Sequence, residues 1–236
     1  MHAVGIKTVN HQLVSGGKMI LDTNDCVAQR IRCEEAFEPA VRREIERIAS
    51  SDVNIIDIGA NIGYYSILAS RLIGSEKRVF SFEPQVSMVS KLRRNIELNA
   101  LRNVKVFPFA LSDAPGTVTF HVPPEGTEAL GSMHANGRFE VVKTVEVETQ
   151  RLDDVMSNLG NPKIGLIKMD AEGAELPILR GATQLLSSPD KPVLIFEANE
   201  KNCKPFDYCV FDLLQYVHSF GYRLRQLDHE DWIAEA

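Results

Sequence analysis

Val53-Asn54-Ile55-Ile56-Asp57-Ile58-Gly59-Ala60-Asn61-Ile62-Gly63 is the stretch from which the fold can be read. Val53–Ile58 is a short, nearly unbroken apolar run rich in β-branched side chains, the pattern of a strand buried on both faces of a parallel sheet. Two glycines and an asparagine make a turn, and Ile62–Ile73 then places Ile62, Tyr65, Ala69 and Leu72 on one side of a helix. Strand, glycine turn and helix open a doubly wound sheet, in which ligands lie beyond the carboxyl ends of the strands. The glycines let backbone approach a ligand, and the helix start offers free N–H groups. The spacing is D-x-G-x-N-x-G, not the dinucleotide pattern G-x-G-x-x-G. Asp57, two residues before the first glycine, would repel a pyrophosphate but suit the cationic part of a zwitterionic or sulfonium ligand.

Outward from this stretch the alternation repeats. Strands are predicted at Arg78–Phe82, Val104–Phe109, Lys163–Met169 and Pro192–Ala198, and helices at Gln85–Asn99, Glu175–Leu186 and Phe206–Phe220. Tyr222–Gln226 and Trp232–Glu235 would close the sheet as a hairpin. Repeated βαβ units imply a parallel sheet covered by helices on both faces. Upstream, Phe37–Ile48 has helical spacing, with Pro39 near its start where a missing N–H does no harm. Residues 1–36 read as a hairpin or extension, with extended segments at Val4–Val9 and Lys18–Leu21, ahead of a main domain over 37–236. One region breaks the rhythm, an insertion at about 115–150. There Thr117–Val122 and Val141–Thr149 alternate like antiparallel strands around a polar loop, Pro123–Gly137, of the kind that forms lids or substrate-binding elements.

The 236 residues carry a net charge of −6 and a pI near 5.6, which argues against a broad nucleic-acid footprint. The densest basic cluster, Lys91, Arg93 and Arg94, reads as the solvated face of a helix. No apolar run approaches a membrane span, and the start has no signal pattern. Cys26, Cys33, Cys203 and Cys209 form no CxxC pair and have no histidines at zinc-finger spacing. These features together predict a cytoplasmic protein with reduced thiols.

Several acids stand where strands end. Glu83, in Phe82-Glu83-Pro84, could accept hydrogen bonds from both hydroxyls of a ribose, or cap the next helix. Asp170 and Glu172, in Ile167-Lys168-Met169-Asp170-Ala171-Glu172-Gly173-Ala174-Glu175, are expected to project into the same crevice as Asp57, while Glu175 complements the next helix dipole. Glu197 ends the fifth strand. His134, in the insertion, is suited to proton transfer near neutral pH but also reads as a surface histidine.

In these segments the chain resembles the FkbM family of S-adenosylmethionine-dependent methyltransferases. The resemblance runs from about Phe37 to Asn199. It is carried by the acid-proline pair Glu38-Pro39, Asp57–Tyr65, Phe82-Glu83-Pro84, the Asn95–Asn99 helix end, Ala110–Asp113, Arg151–Asp154 and Ile167–Glu175. It implies a class I, Rossmann-like fold of seven strands, mostly parallel with a C-terminal antiparallel hairpin, and S-adenosylmethionine as cofactor. By position, Glu38 would belong to the donor side, and Gly59, Asn61 and Gly63 would lie against the methionine part with Asp57 nearby. Glu83 beside Pro84 would hold the ribose hydroxyls. Ala110 and Leu111 would border the adenine, where many relatives of this fold place an acid; here backbone contacts are expected, with Asp113 as a neighbour.

The activity implied is O-methylation of a small-molecule hydroxyl on a sugar or natural product. Transfer from a sulfonium is an in-line displacement that rewards alignment, and a hydroxyl acceptor also needs a general base. Asp170, Glu172, Glu197 and His134 are the candidates. Acids at the Asp170 and Glu197 positions hold a divalent ion in some methyltransferases of this fold, but Glu197 reads equally as acceptor-pocket lining and no metal ligand is assigned. The rival readings are a nicotinamide-dependent oxidoreductase, disfavoured by the absent G-x-G-x-x-G, and a non-catalytic donor-binding protein on the same scaffold. Oligomeric state is not legible from the sequence.

Overall fold

The computed structural model describes residues 8–33, 37–49, 53–124, 126–127, 131–134 and 141–236. The chain begins with an antiparallel hairpin, β1 (Thr8–Gln12) and β2 (Lys18–Asp22), followed by helix α1 (Cys26–Cys33). The first strand therefore lies later than the expected Val4–Val9, of which residues 4–7 fall outside the described residues. The hairpin is sewn to the body by side-chain amides. The Ile20 N–H donates to Asn95 Oδ1 (2.7 Å) and the Lys18 N–H to Asn99 Oδ1 (2.8 Å). Met19, Leu21, Ala28 and Ile31 join the same apolar cluster as Ile67, Leu68 and Val79.

The core follows in order: α2 (Pro39–Ala49), β3 (Asn54–Ile58), α3 (Tyr64–Leu72), β4 (Val79–Phe82), α4 (Val86–Leu98) and β5 (Val104–Phe107). β6 (Ala110–Leu111) follows, and the insertion supplies β7 (Gly116–Val122) and β8 (Lys143–Gln150). Then come α5 (Leu152–Asn158), β9 (Ile164–Met169), α6 (Glu175–Arg180), α7 (Thr183–Ser187), β10 (Val193–Glu197), α8 (Glu200–Cys203), α9 (Val210–Ser219), β11 (Arg223–Gln226) and β12 (Asp231–Glu235). Seven strands form the central sheet in the order β11-β12-β10-β9-β3-β4-β5. β10, β9, β3, β4 and β5 are parallel, and β12 runs antiparallel to both of its neighbours. Successive residues of β3 feed opposite cores, Ile55 one and Ile56 the other, which is why its sequence is apolar throughout.

The chain winds outward from β3 to β5 and returns to β9, so β3 and β9 flank the switch point where a crevice opens. The insertion pairs β7 antiparallel with β8, and β6 joins parallel to β8, making a small second sheet beside that crevice. Parts of its connecting loop, residues 125, 128–130 and 135–140, lie outside the described residues.

Two helices depart from expectation. The segment Glu175–Leu186 breaks at Gly181 into α6 and α7, because Asp153 accepts from the Gln184 and Leu185 N–H groups and starts a new helix. The helix expected from Phe206 starts at Val210, where Cys209 and Asp212 form a capping box. α1, α5 and α8, all of eight residues or fewer, are too short to show a helical period in the sequence. Among the described residues no helix is long and apolar enough to cross a membrane.

Candidate active site

A cavity of about 350 Å³ lies at the carboxyl ends of β3, β4, β9 and β10, within the usual size of small-molecule sites. Its first wall is the turn after β3. The Gly59 and Ala60 N–H groups both donate to the Phe82 carbonyl (3.0 Å each). Gly59 has φ +72°, and a Cβ there would overlap the Asp170 carbonyl oxygen. Its lack of a side chain therefore serves the close approach of two protein loops. Asn61, at φ +50°, donates its N–H to Glu83 Oε2 (2.9 Å), and Gln85 donates its N–H to Oε1 (2.9 Å). Glu83 is only 6% exposed, and burial outweighs those two hydrogen bonds and lifts its carboxyl to about 7.

Two residues expected in this wall sit behind it. Gly63 (φ +97°) does not line the cavity; a Cβ there would stand 2.5 Å from Leu92 Cδ1, so this glycine lets α3 pack on α4. Asp57 is also absent from the lining and is 1% exposed. Instead of projecting into the crevice with Asp170, it accepts from the Ser66 hydroxyl (2.6 Å), which also bonds the Ser81 hydroxyl (2.8 Å). Its Oδ1 has no hydrogen-bond partner among the described residues, and burial raises its pKa against the pull of Lys168. Asp57 thus braces the base of the turn.

The opposite wall is acidic. Asp170, Glu172 and Glu197 line it with Glu38 and Asp231. Lys168, 6% exposed, places Nζ 3.6 Å from Asp170 Oδ2 and over the Tyr65 ring, 4.9 Å from its centroid. Burial opposes its charge, but Asp170, Asp57, Glu38 and Asp231 outweigh burial and push its pKa up. Glu38 (φ +46°) accepts from the Tyr65 hydroxyl (2.7 Å) and pairs with Arg30 (3.7 Å); burial and Asp170 raise it. Burial, with Glu38 and Asp170 adding repulsion, lifts Asp231 to about 7. Glu197 is driven up furthest, by burial and by Asp170, Glu172 and Glu175. The Asn202 amide donates to both Glu172 Oε2 (2.9 Å) and Glu197 Oε2 (3.0 Å). Glu175, at the start of α6 as expected, is also buried and receives the Ala171 N–H (2.7 Å); burial lifts it to about 7.

Pro84, Phe109, Ala110, Leu111 and Ile178 form the apolar end of the cavity. Asp113 is exposed and outside the lining. Phe120, Gly131 and Met133 bring the insertion onto the rim, and the Ser132 hydroxyl anchors it by donating to the Glu172 carbonyl (3.0 Å). His134 does not line the cavity; its exposed ring packs edge-on against Phe206, with centroids 4.3 Å apart. Among the described residues no three His, Cys, Asp or Glu side chains are grouped to hold a metal ion.

The structure thus brings Glu38, Gly59, Asn61, Glu83, Pro84, Ala110, Leu111, Asp170, Glu172 and Glu197 to one cavity. Sequence reasoning missed Lys168, Tyr65, Asn202 and Asp231. Lys168 was detectable, since a lysine inside a strand buried on both faces must have charge partners. Asn202 and Asp231 carry no local signal.

Residues 57–224 match the family described as Methyltransferase FkbM domain. The chain is 33% identical to Methyltransferase sdnD of Sordaria araneosa over a region covering 55% of this chain and 60% of that protein. It is 29% identical to the 2-O-methyltransferase NoeI of Sinorhizobium fredii, covering 68% and 70%. It thus spans less than two thirds of the length of the first of these relatives. Among solved structures, the O-methyltransferase from Bacillus cereus in complex with SAH superposes with a TM-score of 0.50 at 14% identity, over 84% of this chain and 81% of that one, a likeness of fold.

Proposed function

Because the chain belongs to the methyltransferase FkbM family, we propose that it transfers a methyl group from S-adenosylmethionine to a hydroxyl of a small molecule, a sugar or a natural-product scaffold. The observation that carries this reading is Glu83, a buried carboxylate held by the N–H groups of Asn61 and Gln85 beside the glycine turn of β3. Each of its oxygens takes one N–H and keeps a lone pair for a ribose hydroxyl. The apolar end at Phe109, Ala110, Leu111 and Ile178 suits an adenine ring, and the acidic wall suits a sulfonium. When bound, the donor supplies a methyl group whose departure leaves the bonding electron pair on sulfur. The name of the relative NoeI, a 2-O-methyltransferase, favours a hydroxyl acceptor.

The chain's own residues would align the acceptor and take its proton. Asp170 is paired with the Lys168 ammonium (3.6 Å). Glu197, raised by its surroundings, already carries one near neutral pH. Glu172, at the cavity wall, is left as the general base. Glu38, tied to Tyr65 and Arg30, closes the cavity from the side of α2. Asp57 and Gly63 act through the shape of the turn.

Titration calorimetry with S-adenosylhomocysteine and with NAD tests the reading. S-Adenosylhomocysteine should bind, NAD should not, and Glu83→Ala should weaken binding at least tenfold, the loss of about 1.4 kcal/mol or more expected for hydrogen bonds to a charged group. Binding of NAD alone, or an unchanged dissociation constant in Glu83→Ala, would overturn it.

A further inference from the structure

Glu172 and Glu197 belong to different elements, the turn after β9 and the end of β10, yet a single side chain bonds both. Asn202 lies on α8, is 1% exposed, and directs its amide nitrogen at Glu172 Oε2 (2.9 Å) and Glu197 Oε2 (3.0 Å). A primary amide has two N–H hydrogens, and each goes to one of these carboxyl groups. The geometry around it is fixed on both sides. Glu172 takes the left-handed conformation (φ +52°) that its turn requires. The Tyr208 hydroxyl pins that turn by donating to the Gly173 carbonyl (2.7 Å). At the other end, the Asn199 side chain caps α8 by accepting the Lys201 N–H (2.8 Å), so the helix that presents Asn202 has a defined start.

Two carboxylates this close repel when both are ionised. A neutral donor between them relieves the repulsion without adding a countercharge that would quench both. Among the other charged groups that line the cavity with Glu172 and Glu197 are Glu38, Asp170, Glu230 and Asp231; of the cations there, Lys168 is paired with Asp170 and Arg30 with Glu38, and Glu175 lies behind the wall.

Resting on the methyltransferase reading, we propose that Asn202 is a positioning residue: by bridging Glu172 and Glu197 it presents them to the acceptor as one unit, Glu172 taking the hydroxyl proton while Glu197 donates a hydrogen bond to the same acceptor. As the acceptor oxygen bonds to the methyl carbon, its proton passes to Glu172. The negative charge lost at Glu172 balances the positive charge lost as the methyl group leaves the donor.

The test is a ¹³C NMR titration of glutamate carboxyl carbons in the full chain from pH 5 to 9, with signals assigned through Glu172→Gln and Glu197→Gln. In the unsubstituted protein Glu172 should be ionised at pH 7 and Glu197 protonated. Asn202→Ala, shown to be folded by its amide spectrum, should raise the proton affinity of Glu172 at least tenfold. Glu197→Gln, which leaves Asn202 in place and is neutral like the protonated acid, should leave the Glu172 midpoint within threefold. A Glu172 midpoint that stays within threefold in Asn202→Ala, or a Glu172 that is already protonated at pH 7, would overturn the proposal. If Asn202→Ala does not fold, Asn202→Ser, whose shorter hydroxyl cannot reach both carboxyl groups, decides by the same tenfold criterion. Calorimetry with S-adenosylhomocysteine keeps the two ideas apart. Normal donor binding with unmoved midpoints removes only the role of Asn202; absent donor binding removes the reading beneath it.

Discussion

The wall made by β3 and β4 is closed by backbone hydrogen bonds to one carboxylate and one carbonyl, whereas the wall made by β9, β10 and β12 is a set of acids held together by nitrogen-bearing side chains, Lys168, Asn202 and Arg30. The first is a matter of chain geometry. Its residues are local in sequence, their conformations are set by glycine and asparagine, and its single acid is buried against N–H groups. The second is a matter of charge balance. Its members come from α1, α2, β9, β10, α8 and β12, and burial and mutual repulsion raise the pKa values of several. The difference teaches that one wall should fail through backbone strain, and the other through loss of countercharge.

The sharpest way to break the contrast is Gly59→Ala. A Cβ at φ +72° would overlap the Asp170 carbonyl, which is backbone and has no rotamer to yield. The expected cost is on the order of 4 kcal/mol or more, seen as loss of soluble protein or a large drop in the urea midpoint. Gly160→Ala is the control. Its φ of +80° is also left-handed, but nothing lies within 4 Å of the added methyl, so about 1 kcal/mol is expected. Equal losses at the two sites would mean that the dihedral alone matters, and that the two loops do not meet as described.

On the charged wall the corresponding substitution is Lys168→Met, which keeps the buried stem and removes the ammonium. Asp170, Asp57, Glu38 and Asp231 would lose the cation they share. Removing one partner from a buried pair typically costs about 3–5 kcal/mol, and protonation of the stranded acids at lower pH gives part of it back. The expected result is therefore a variant about 3 kcal/mol less stable than the parent at pH 8, with a smaller gap at pH 5. A gap that is constant across this range would show that Lys168 acts through packing on Tyr65 instead of through charge.

The same contrast governs how much was legible in advance. The alternation of strands and helices follows from patterns of ten to fifteen residues, whereas the seven-stranded sheet was implied by the family resemblance, and the turn Asp57–Gly63 announces its own conformation because Gly and Asn tolerate positive φ. The roles within that turn were not legible. Asp57 and Gly63 look identical in sequence whether they face a ligand or brace the protein; only the positions of Ser66, Ser81 and Leu92 decide. On the acidic wall the strand-end acids were visible, since a carboxylate ending an apolar strand is conspicuous. Their partners were not, because Asn202 and Asp231 are ordinary polar residues until the sheet brings them beside Glu197. Asp231 sits directly opposite Glu197 in the β10–β12 register, a pairing that depends on the antiparallel insertion of β12 and on no local motif.

The smallest expected effect separates the walls by pH. Burial holds Glu83 on one wall, and Asp231 on the other, at about 7 in the folded protein, against ordinary values of 4.5 and 3.8. A folded-state pKa above the unfolded one means that the fold favours the protonated acid. The stabilising contribution is complete below the unfolded value and is lost as pH rises to about 7. The parent protein should therefore be less stable at pH 8 than at pH 5 in urea unfolding, and each of these groups should account for roughly 2 kcal/mol of the difference. Glu83→Gln and Asp231→Asn should each shrink it. Asp231 should respond to its neighbours, so Glu38→Gln, which removes a repulsive charge from that wall, should lower the Asp231 midpoint and leave Glu83 unmoved. Equal movement of both midpoints would mean that the two walls share one electrostatic environment, and the division between a geometric wall and a charged wall would fall.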